Sequence, residues 1–113
     1  MREVYVVGVG MTRFAKYLDR NMKSLAKEAL DKTLADAGIG KEKIEAVYFS
    51  NSNWGYQSDQ HCIRGQVALR PEGVEGIPIY NVENACAGGG DSVSFRLDGR
   101  WLRSLRLRFG PWG

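Results

Sequence analysis

The sequence predicts an α/β fold with a parallel sheet, and two observations carry this prediction. Three apolar runs read as strands: VYVVGVG at residues 4–10, IEAVYFS at residues 44–50 and IPIYNVE at residues 77–83. A helical pattern separates the first two runs. A strand, a helix and a strand in succession form a unit in which the two strands are parallel and the crossover is right-handed.

The first run is almost continuously β-branched, which is typical of a strand that is buried on both faces of a sheet. The helix after it is predicted by small and apolar residues at helical spacing, with charged residues between them. Ser24 is the predicted N-cap of this helix and Gly38 its C-terminal stop. The recurring positions are Leu25, Ala26, Ala29, Leu30, Thr33, Leu34 and Ala37.

The connection between the second and third runs has less regular patterning. Residues 51–59 (NSNWGYQSD) read as a polar loop, whose Trp54 and Tyr56 either line an interface or cap the core. Residues 60–70 have moderate helical character that Gly65 weakens. Residues 71–76 (PEGVEG) read as a turn before the third strand.

Composition narrows the class of protein. The 43% hydrophobic content suits a globular core, and no stretch approaches the roughly 18–20 apolar residues that span a bilayer. The first residues lack the pattern of a signal peptide, so we expect a cytoplasmic protein with no membrane span. Two cysteines, Cys62 and Cys86, give no basis for a disulfide framework.

The formal net charge of +3 comes from the end of the chain. Residues 1–90 contain eleven basic and eleven acidic side chains, whereas residues 91–113 contain five arginines and two acids. Because residues 1–90 carry no net charge, we expect no nucleic-acid-binding surface on this part of the chain. A basic tail that binds nucleic acid stays open as an alternative, which a salt-dependent interaction with DNA would support.

The segment NVENACAGGGD, residues 81–91, contains the candidate catalytic residue. Cys86 follows a strand and begins a glycine-rich turn before a predicted helix. Backbone N–H groups and the helix dipole favour an anion there, and this favours the nucleophilic thiolate. The small neighbours permit a sharp turn like the nucleophile elbow of serine hydrolases. The alternative is a small buried cysteine at a tight turn.

Other motifs point to no cofactor or metal. GVGMTRF contains only Gly-x-Gly, with Arg13 where a dinucleotide-binding fingerprint has its third glycine. The segment after Cys86 lacks the Gly-Lys-Ser/Thr ending of a phosphate-binding loop. His61 and Cys62 are adjacent but have no second pair of ligands, so we expect no zinc site.

Four segments together resemble the N-terminal part of a thiolase, and the resemblance covers residues 4–90. It is greatest to thiolases of the lipid-transfer or sterol-carrier type, which are acetyl-CoA acetyltransferases. One segment is IRGQVALRPEGVEGIPIYNVENACAGG, and its GIPIYNVENACAGG stretch is the most specific part of the resemblance. The other three are VYVVGVGMTRF, SLAKEALDKTLADAGI and IEAVYFSN.

The resemblance implies a thiolase-like α/β fold with α/β/α layers and a mixed, mostly parallel sheet, of which only the first part of the N-terminal domain is present. It implies that Cys86 is the catalytic nucleophile that accepts an acyl group from a coenzyme A thioester in lipid or sterol side-chain metabolism. Coenzyme A thioesters are then substrates, and no bound cofactor or metal is implied. The full-length protein is expected to be a homodimer or tetramer.

The resemblance divides the chain into residues 1–90, the N-terminal part of the thiolase domain, and residues 91–113, a basic tail. We interpret the tail as out-of-frame translation, and the alternatives are a basic edge strand or a disordered basic tail. Its codons, read one base later, permit a small-residue helical sequence beginning Thr-Ala-Phe-His, which resembles the thiolase continuation. The interpretation predicts that the helix after Cys86 is lost and that the chain is an inactive truncated fragment. A non-catalytic scaffold or lipid-handling role is the alternative function.

Overall fold

The structure is a computed structural model that describes residues 4–98 and 104–107. Its helices are α1 (Met22–Ala37), α2 (Trp54–Ser58), α3 (Arg64–Leu69) and α4 (Gly88–Asp98). Its strands are β1 (Ala46–Ser50), β2 (Ile79–Val82) and β3 (Ser104–Leu107). The strand order is β2-β1-β3, and β1 is parallel to both neighbours. The parallel sheet predicted from the sequence is therefore confirmed.

Helix α1 begins three residues earlier than the sequence analysis predicts. The N-cap is Asn21, whose side-chain oxygen accepts a hydrogen bond from the Ser24 backbone N–H at 2.9 Å. Ser24 lies inside the first turn, and its hydroxyl donates back to the Asn21 carbonyl at 3.0 Å. Met22 is buried, so the apolar face of the helix extends one turn further. The predicted stop at Gly38 is confirmed by its left-handed φ of 68°.

An ion-pair network covers the solvent face of α1. Arg20 donates to a Glu28 carboxylate oxygen at 2.9 Å, and Lys32 lies 3.3 Å from the other oxygen. The hydrogen bond from Arg20, with the one from Lys32, lowers the pKa of Glu28. Lys27 donates to Asp31 at 2.7 Å, and this hydrogen bond raises the pKa of Lys27. The two i,i+4 pairs, Lys27–Asp31 and Lys32–Glu28, support the helix weakly, and the buried face contributes more.

Strand β1 is the centre of the sheet, and Ala46, Val47, Tyr48 and Phe49 are all buried. Val47 and Phe49 belong to one core cluster with the buried residues of α1 and α3. Ser50 lies on the opposite face because side chains alternate along a strand, and α4 begins against it. Two helices therefore cover one face of β1 and one helix covers the other, in an α/β/α arrangement.

Residues 51–59 are not the loop that the sequence predicts, because five of them form α2. Asn51, the residue after β1, caps the start of this helix with its side chain, which accepts a hydrogen bond from the Trp54 backbone N–H at 2.8 Å. Trp54 is buried in the core cluster, which decides between its two predicted roles in favour of the core. Tyr56 is 87% exposed and does not cap the core.

Helix α3 is shorter than residues 60–70 and tightly packed at Gly65. A Cβ there would lie 2.8 Å from both the Phe49 Cβ and the Ile79 Cγ2. The glycine therefore lets α3 approach the sheet closely, in addition to lowering helix propensity. The turn predicted at residues 71–76 is confirmed, with Gly73 and Gly76 both at positive φ.

The prediction of a buried strand at residues 4–10 is wrong. No strand is assigned there, and Val6 and Val7 are 84% and 70% exposed. The segment lies along α1, where the Val9 backbone N–H donates to Asp36 at 2.8 Å. Both edges of β1 are already paired, one with β2 and one with β3. A parallel partner for residues 4–10 is therefore not available on β1.

The expectation that the helix after Cys86 is lost is also wrong. Helix α4 continues from Gly88 to Asp98, through eight residues of the tail. Asp91 lies in its first turn, where a carboxylate complements the positive end of the helix dipole. The buried Ser92 hydroxyl donates to the Gly88 carbonyl at 3.0 Å. Whether residues 91–113 are out of frame stays a prediction.

Candidate functional site at the carboxyl edge of the sheet

Cys86 lies where the sequence analysis places it, between a strand and a helix. Strand β2 ends at Val82, a single 3₁₀ turn spans Ala85–Ala87, and α4 starts at Gly88. The thiol is exposed and free. The alternative that Cys86 is a small buried residue at a tight turn is therefore wrong for this structure. An exposed thiol before an eleven-residue helix is accessible to a substrate.

The turn before Cys86 has strained backbone. Ala85 has a φ of 44°, in the left-handed region that residues with a Cβ seldom occupy. Two local hydrogen bonds stabilise it: the Ala85 N–H donates to the Glu83 carboxylate, and the Ala87 N–H donates to the Asn84 carbonyl, both at 2.9 Å. Strain of this kind is found where a reactive side chain must be presented on a sharp turn.

Asn84 and Gly88 connect this turn to the rest of the fold. The Asn84 amide donates to Asp91 at 2.8 Å, which ties the residue after β2 to the first turn of α4. A Cβ at Gly88 would overlap the side chain of Ser50 at the end of β1. Gly88 therefore lets α4 begin directly against the central strand, and this fixes the position of Cys86 two residues earlier.

The loop after β1 meets the Cys86 turn at the same edge of the sheet, because carboxyl ends of parallel strands lie together. Ser50 pairs with Val82 in the register of the two strands. The Arg64 side chain connects the two ends of this segment, because it donates to the carbonyls of Asn51 at 2.8 Å and Gln60 at 3.0 Å. The segment that follows β1 and the Cys86 turn therefore lie at the same edge of the sheet.

A polar clamp between α3 and β2 was not identified from the sequence. Asn81 accepts a hydrogen bond from the Gly65 N–H at 2.6 Å and donates to the Gln66 side chain at 2.7 Å. Gln66 donates in turn to the Ile79 carbonyl at 3.3 Å. Two features of the sequence indicate it: an asparagine, Asn81, within an apolar strand, and a glycine, Gly65, within a helical segment. The clamp fixes the strand that leads to Cys86.

The other candidates of the sequence analysis lie outside this turn. His61 is in the connection between α2 and α3, beside Gly55 and 4.0 Å from a carboxylate oxygen of Asp59. Cys62 follows it, exposed and free, with its carbonyl bound to the Gln60 amide. His61 and Cys62 thus belong to the α2–α3 connection, and Cys86 remains the candidate nucleophile.

A shallow depression of about 500 Å³ lies at a different place, between α1 and α3. Its lining does not include Cys86, so the depression and the candidate nucleophile are separate features. The lining of the depression contains no cysteine, serine or histidine, so the turn at Cys86 is the better candidate for a nucleophilic site. Its lining residues are Lys23, Ile63, Gln66, Val67, Arg70 and Pro71.

None of the helices within residues 4–98 has the length and apolar character that a membrane crossing requires. In the same part of the chain, no three metal-ligating side chains converge on one point.

The comparisons with known proteins match this architecture. The model of the thiolase N-terminal domain family matches residues 4–97. Sterol carrier protein 2 of Gallus gallus is 40% identical over 98 residues, which cover 81% of this chain and 16% of that protein. An acetyl-CoA acetyltransferase of Methanocaldococcus jannaschii is 36% identical over 89 residues, covering 79% and 22% respectively.

A solved structure shows the same fold at low sequence identity. The 3-oxoacyl-[acyl-carrier-protein] synthase III of Aquifex aeolicus VF5 superimposes with a TM-score of 0.59 and 17% identity. The superposition covers 82% of this chain and 30% of that structure. The present chain thus spans between a sixth and a third of these proteins. By its sequence and its fold, the chain belongs to the thiolase family, as part of the thiolase N-terminal domain.

Proposed function

We propose that this chain is the nucleophile-bearing part of a thiolase-type acyltransferase. The observation that supports the proposal is the strained turn at Ala85, which presents the exposed Cys86 between β2 and α4. Membership of the thiolase family adds the chemistry, since one relative is an acetyl-CoA acetyltransferase. The proposed substrates are acyl-coenzyme A thioesters of lipid metabolism.

The proposed reaction has two steps. The Cys86 thiolate attacks the thioester carbonyl, the C–S bond to coenzyme A breaks, and a cysteine acyl-thioester remains. In condensation, a base removes an α-proton from a second acyl-CoA, its α-carbon takes the acyl group, and the Cys86 thiolate leaves. Thiolysis is the reverse: the thiolate attacks the 3-keto carbonyl of a 3-ketoacyl-CoA, the bond from that carbonyl to the α-carbon breaks, the α-carbon is protonated, and the acyl group passes from Cys86 to the thiol of coenzyme A. Oxygen in each tetrahedral intermediate carries negative charge, and the Cys86 backbone N–H is the proposed donor to it.

We propose that the chain by itself does not turn over. The single histidine of the sequence, His61, belongs to the α2–α3 connection, so a base paired with Cys86 has to come from another part of the protein. Residues 91–113 are proposed to be out of frame, and the in-frame continuation is proposed to supply this base. A cytoplasmic homodimer or tetramer is the proposed form of the complete protein.

The first experiment is sequencing of the gene around codons 86–113 and downstream. Removal of one base near the codons for residues 88–90 is expected to open a long reading frame with a further histidine motif and a further cysteine motif. A stop codon soon after that point in the corrected frame would contradict the out-of-frame interpretation.

The second experiment measures thiolysis of acetoacetyl-CoA by the frame-restored protein and by the present chain. Turnover is expected only in the frame-restored protein, abolished by Cys86→Ala and retained by Cys62→Ala, the matched control. Iodoacetamide at pH 7 should alkylate Cys86 before Cys62 there, and acetyl-CoA should protect only Cys86. Faster modification of Cys62, with Cys86 unaffected by acetyl-CoA, would refute the assignment of the nucleophile.

A second candidate function is a non-catalytic role in lipid handling or as a scaffold, and the similarity to sterol carrier protein 2 supports it. The two candidates differ in their need for the thiol. Binding of a fluorescent sterol or fatty acyl probe that survives Cys86→Ala, in a protein without thiolysis activity, favours the non-catalytic role.

A further inference from the structure

The side chain of Glu83 connects the end of β2 to the Cys86 turn. Glu83 is the residue after β2 and lies three positions before Cys86. One of its carboxylate oxygens accepts a hydrogen bond from the Ala85 backbone N–H at 2.9 Å. This hydrogen bond therefore spans the point at which the chain passes from the strand into the 3₁₀ turn.

The hydrogen bond acts on the residue whose backbone is strained. Ala85 has a φ of 44°, and a residue with a Cβ keeps such a conformation only where its surroundings compensate for it. The Glu83 carboxylate binds the N–H of this same residue. A hydrogen bond to an ionised acceptor is stronger than one between neutral groups, so this contact is suited to hold the turn.

The arrangement also determines which backbone donors lie free of the protein beside the thiol. The Ala85 N–H donates to the Glu83 carboxylate, and the Ala87 N–H donates to the Asn84 carbonyl. The N–H groups on either side of Cys86 are therefore both engaged. The Cys86 N–H lies between them, and it is the donor that the proposed function assigns to the substrate oxygen.

Glu83 is exposed, and its carboxylate acts on Cys86 in two ways that have opposite results. As a hydrogen-bond acceptor, it holds the turn that places the thiol before α4, where the helix dipole favours a thiolate. As a negative charge, it disfavours a thiolate, but solvent and salt screen the interaction between exposed groups. The 2.9 Å hydrogen bond to a strained residue favours the first role.

We propose that Glu83 is a positioning residue for Cys86, whose side-chain oxygen holds Ala85 in the left-handed conformation and so presents the thiol before α4. The inference rests on the proposed role of Cys86 as the nucleophile. The role needs an acceptor oxygen rather than a charge, so Glu83→Gln should retain it and Glu83→Ala should lose it. Ala85→Gly should make it dispensable, because glycine adopts a positive φ readily.

The experiment measures the rate at which iodoacetamide alkylates Cys86 in the full chain at pH 7, with mass spectrometry and with Cys62 as the internal control. Glu83→Ala should slow alkylation of Cys86 by about three- to tenfold, the effect of one hydrogen bond, and leave Cys62 unchanged. Glu83→Gln should stay within about twofold of the parent rate. In the Ala85→Gly chain, adding Glu83→Ala should slow the reaction by less than about twofold.

Two results of this experiment would overturn the proposal. Equal or faster alkylation of Cys86 in Glu83→Ala would show that the side chain does not position the thiol, and faster alkylation in Glu83→Gln as well would assign an effect of charge. An equal slowing by Glu83→Ala with and without Ala85→Gly would show that Glu83 does not act through the conformation of residue 85.

Hydrogen–deuterium exchange of the peptide that contains Ala85 tests the hydrogen bond separately. Exchange should be faster in Glu83→Ala than in the parent chain and in Glu83→Gln, and equal exchange in all three would contradict the proposal. Neither measurement uses an acyl-CoA. A failure of the proposed acyl transfer, seen as a lack of protection of Cys86 by acetyl-CoA, is therefore distinguishable from a failure of the role of Glu83.

Discussion

At the scale of single residues, two positions set the geometry of the candidate site. Ala85 holds a left-handed backbone conformation, and local hydrogen bonds, from its own N–H to the Glu83 carboxylate and from the Ala87 N–H to the Asn84 carbonyl, offset the strain. Gly88 allows α4 to start in contact with Ser50. The left-handed conformation of Ala85 and the absence of a side chain at Gly88 therefore place Cys86 on an exposed turn.

Gly88→Ala tests the close contact between α4 and β1. The added Cβ overlaps Ser50, and overpacking of this kind costs about 1–3 kcal/mol of unfolding free energy. Gly90→Ala is the matched control, because a Cβ there meets nothing within 4 Å. It should be neutral or stabilise the chain by up to about 1 kcal/mol through helix propensity. Urea unfolding of both variants measures the difference, and equal stability would show that Gly88 is not sterically required.

At the scale of elements, α1 is defined more by its cap and its buried face than by its surface charges. The Asn21 side chain satisfies the Ser24 N–H, and the Ser24 hydroxyl returns a bond to the Asn21 carbonyl. Buried residues then recur from Met22 to Leu34 on the side that faces β1. The amphipathic pattern identified the helix, whereas the cap that begins it required the backbone geometry.

Asn21→Ala should destabilise the chain by about 0.5–2 kcal/mol, because a backbone donor of the first turn loses its partner. Ser24→Ala is the comparison, since Ser24 is the N-cap that the sequence pattern predicts. Its loss should be smaller, because Asn21 still caps the helix in that variant. Urea denaturation and far-ultraviolet circular dichroism measure both. A larger loss for Ser24→Ala would restore the original assignment of the cap.

At the scale of the whole molecule, the core forms around β1 without residues 4–10. Helices α1 and α3 pack on the Val47 and Phe49 face, and α4 begins on the Ser50 face. The parallel sheet and its two helical layers correspond to the fold of the solved 3-oxoacyl-[acyl-carrier-protein] synthase III. The candidate site lies at the carboxyl edge of this sheet, where α/β proteins place their ligands.

Leu30→Ala and Val6→Ala distinguish the core from the N-terminal segment. Leu30 is fully buried, so its truncation should lower the free energy of unfolding by about 2–5 kcal/mol. Val6 is exposed, and its truncation should change stability by no more than about 0.5 kcal/mol. Thermal and urea unfolding give both values. A loss above 1.5 kcal/mol for Val6→Ala would place residues 4–10 in the folded core.

Local pattern was enough to predict most of the candidate site. Cys86 was identified from a strand, a cysteine and three glycines in succession, because each of these has a local conformational meaning. The Asn81–Gly65–Gln66 clamp was not identified, since its members are 15 or 16 residues apart and meet only when α3 docks on β2. The left-handed conformation of Ala85 was also unpredictable, because alanine carries no sequence signal for it.

Residue patterns alone predict the class of fold, helix α1, strands β1 and β2, the turn at Gly73 and Gly76, and the position of Cys86. These features follow from periodicity and from residues with strong backbone preferences, which act over a few neighbours. The segment that pairs with each edge of β1 is known from the three-dimensional structure and not from these patterns. Residues 4–10 have the pattern of a buried strand, but a strand needs a free partner, and β3 holds that edge. Strand pairing depends on which distant segment reaches a strand edge, and the local sequence pattern of one segment does not contain this information.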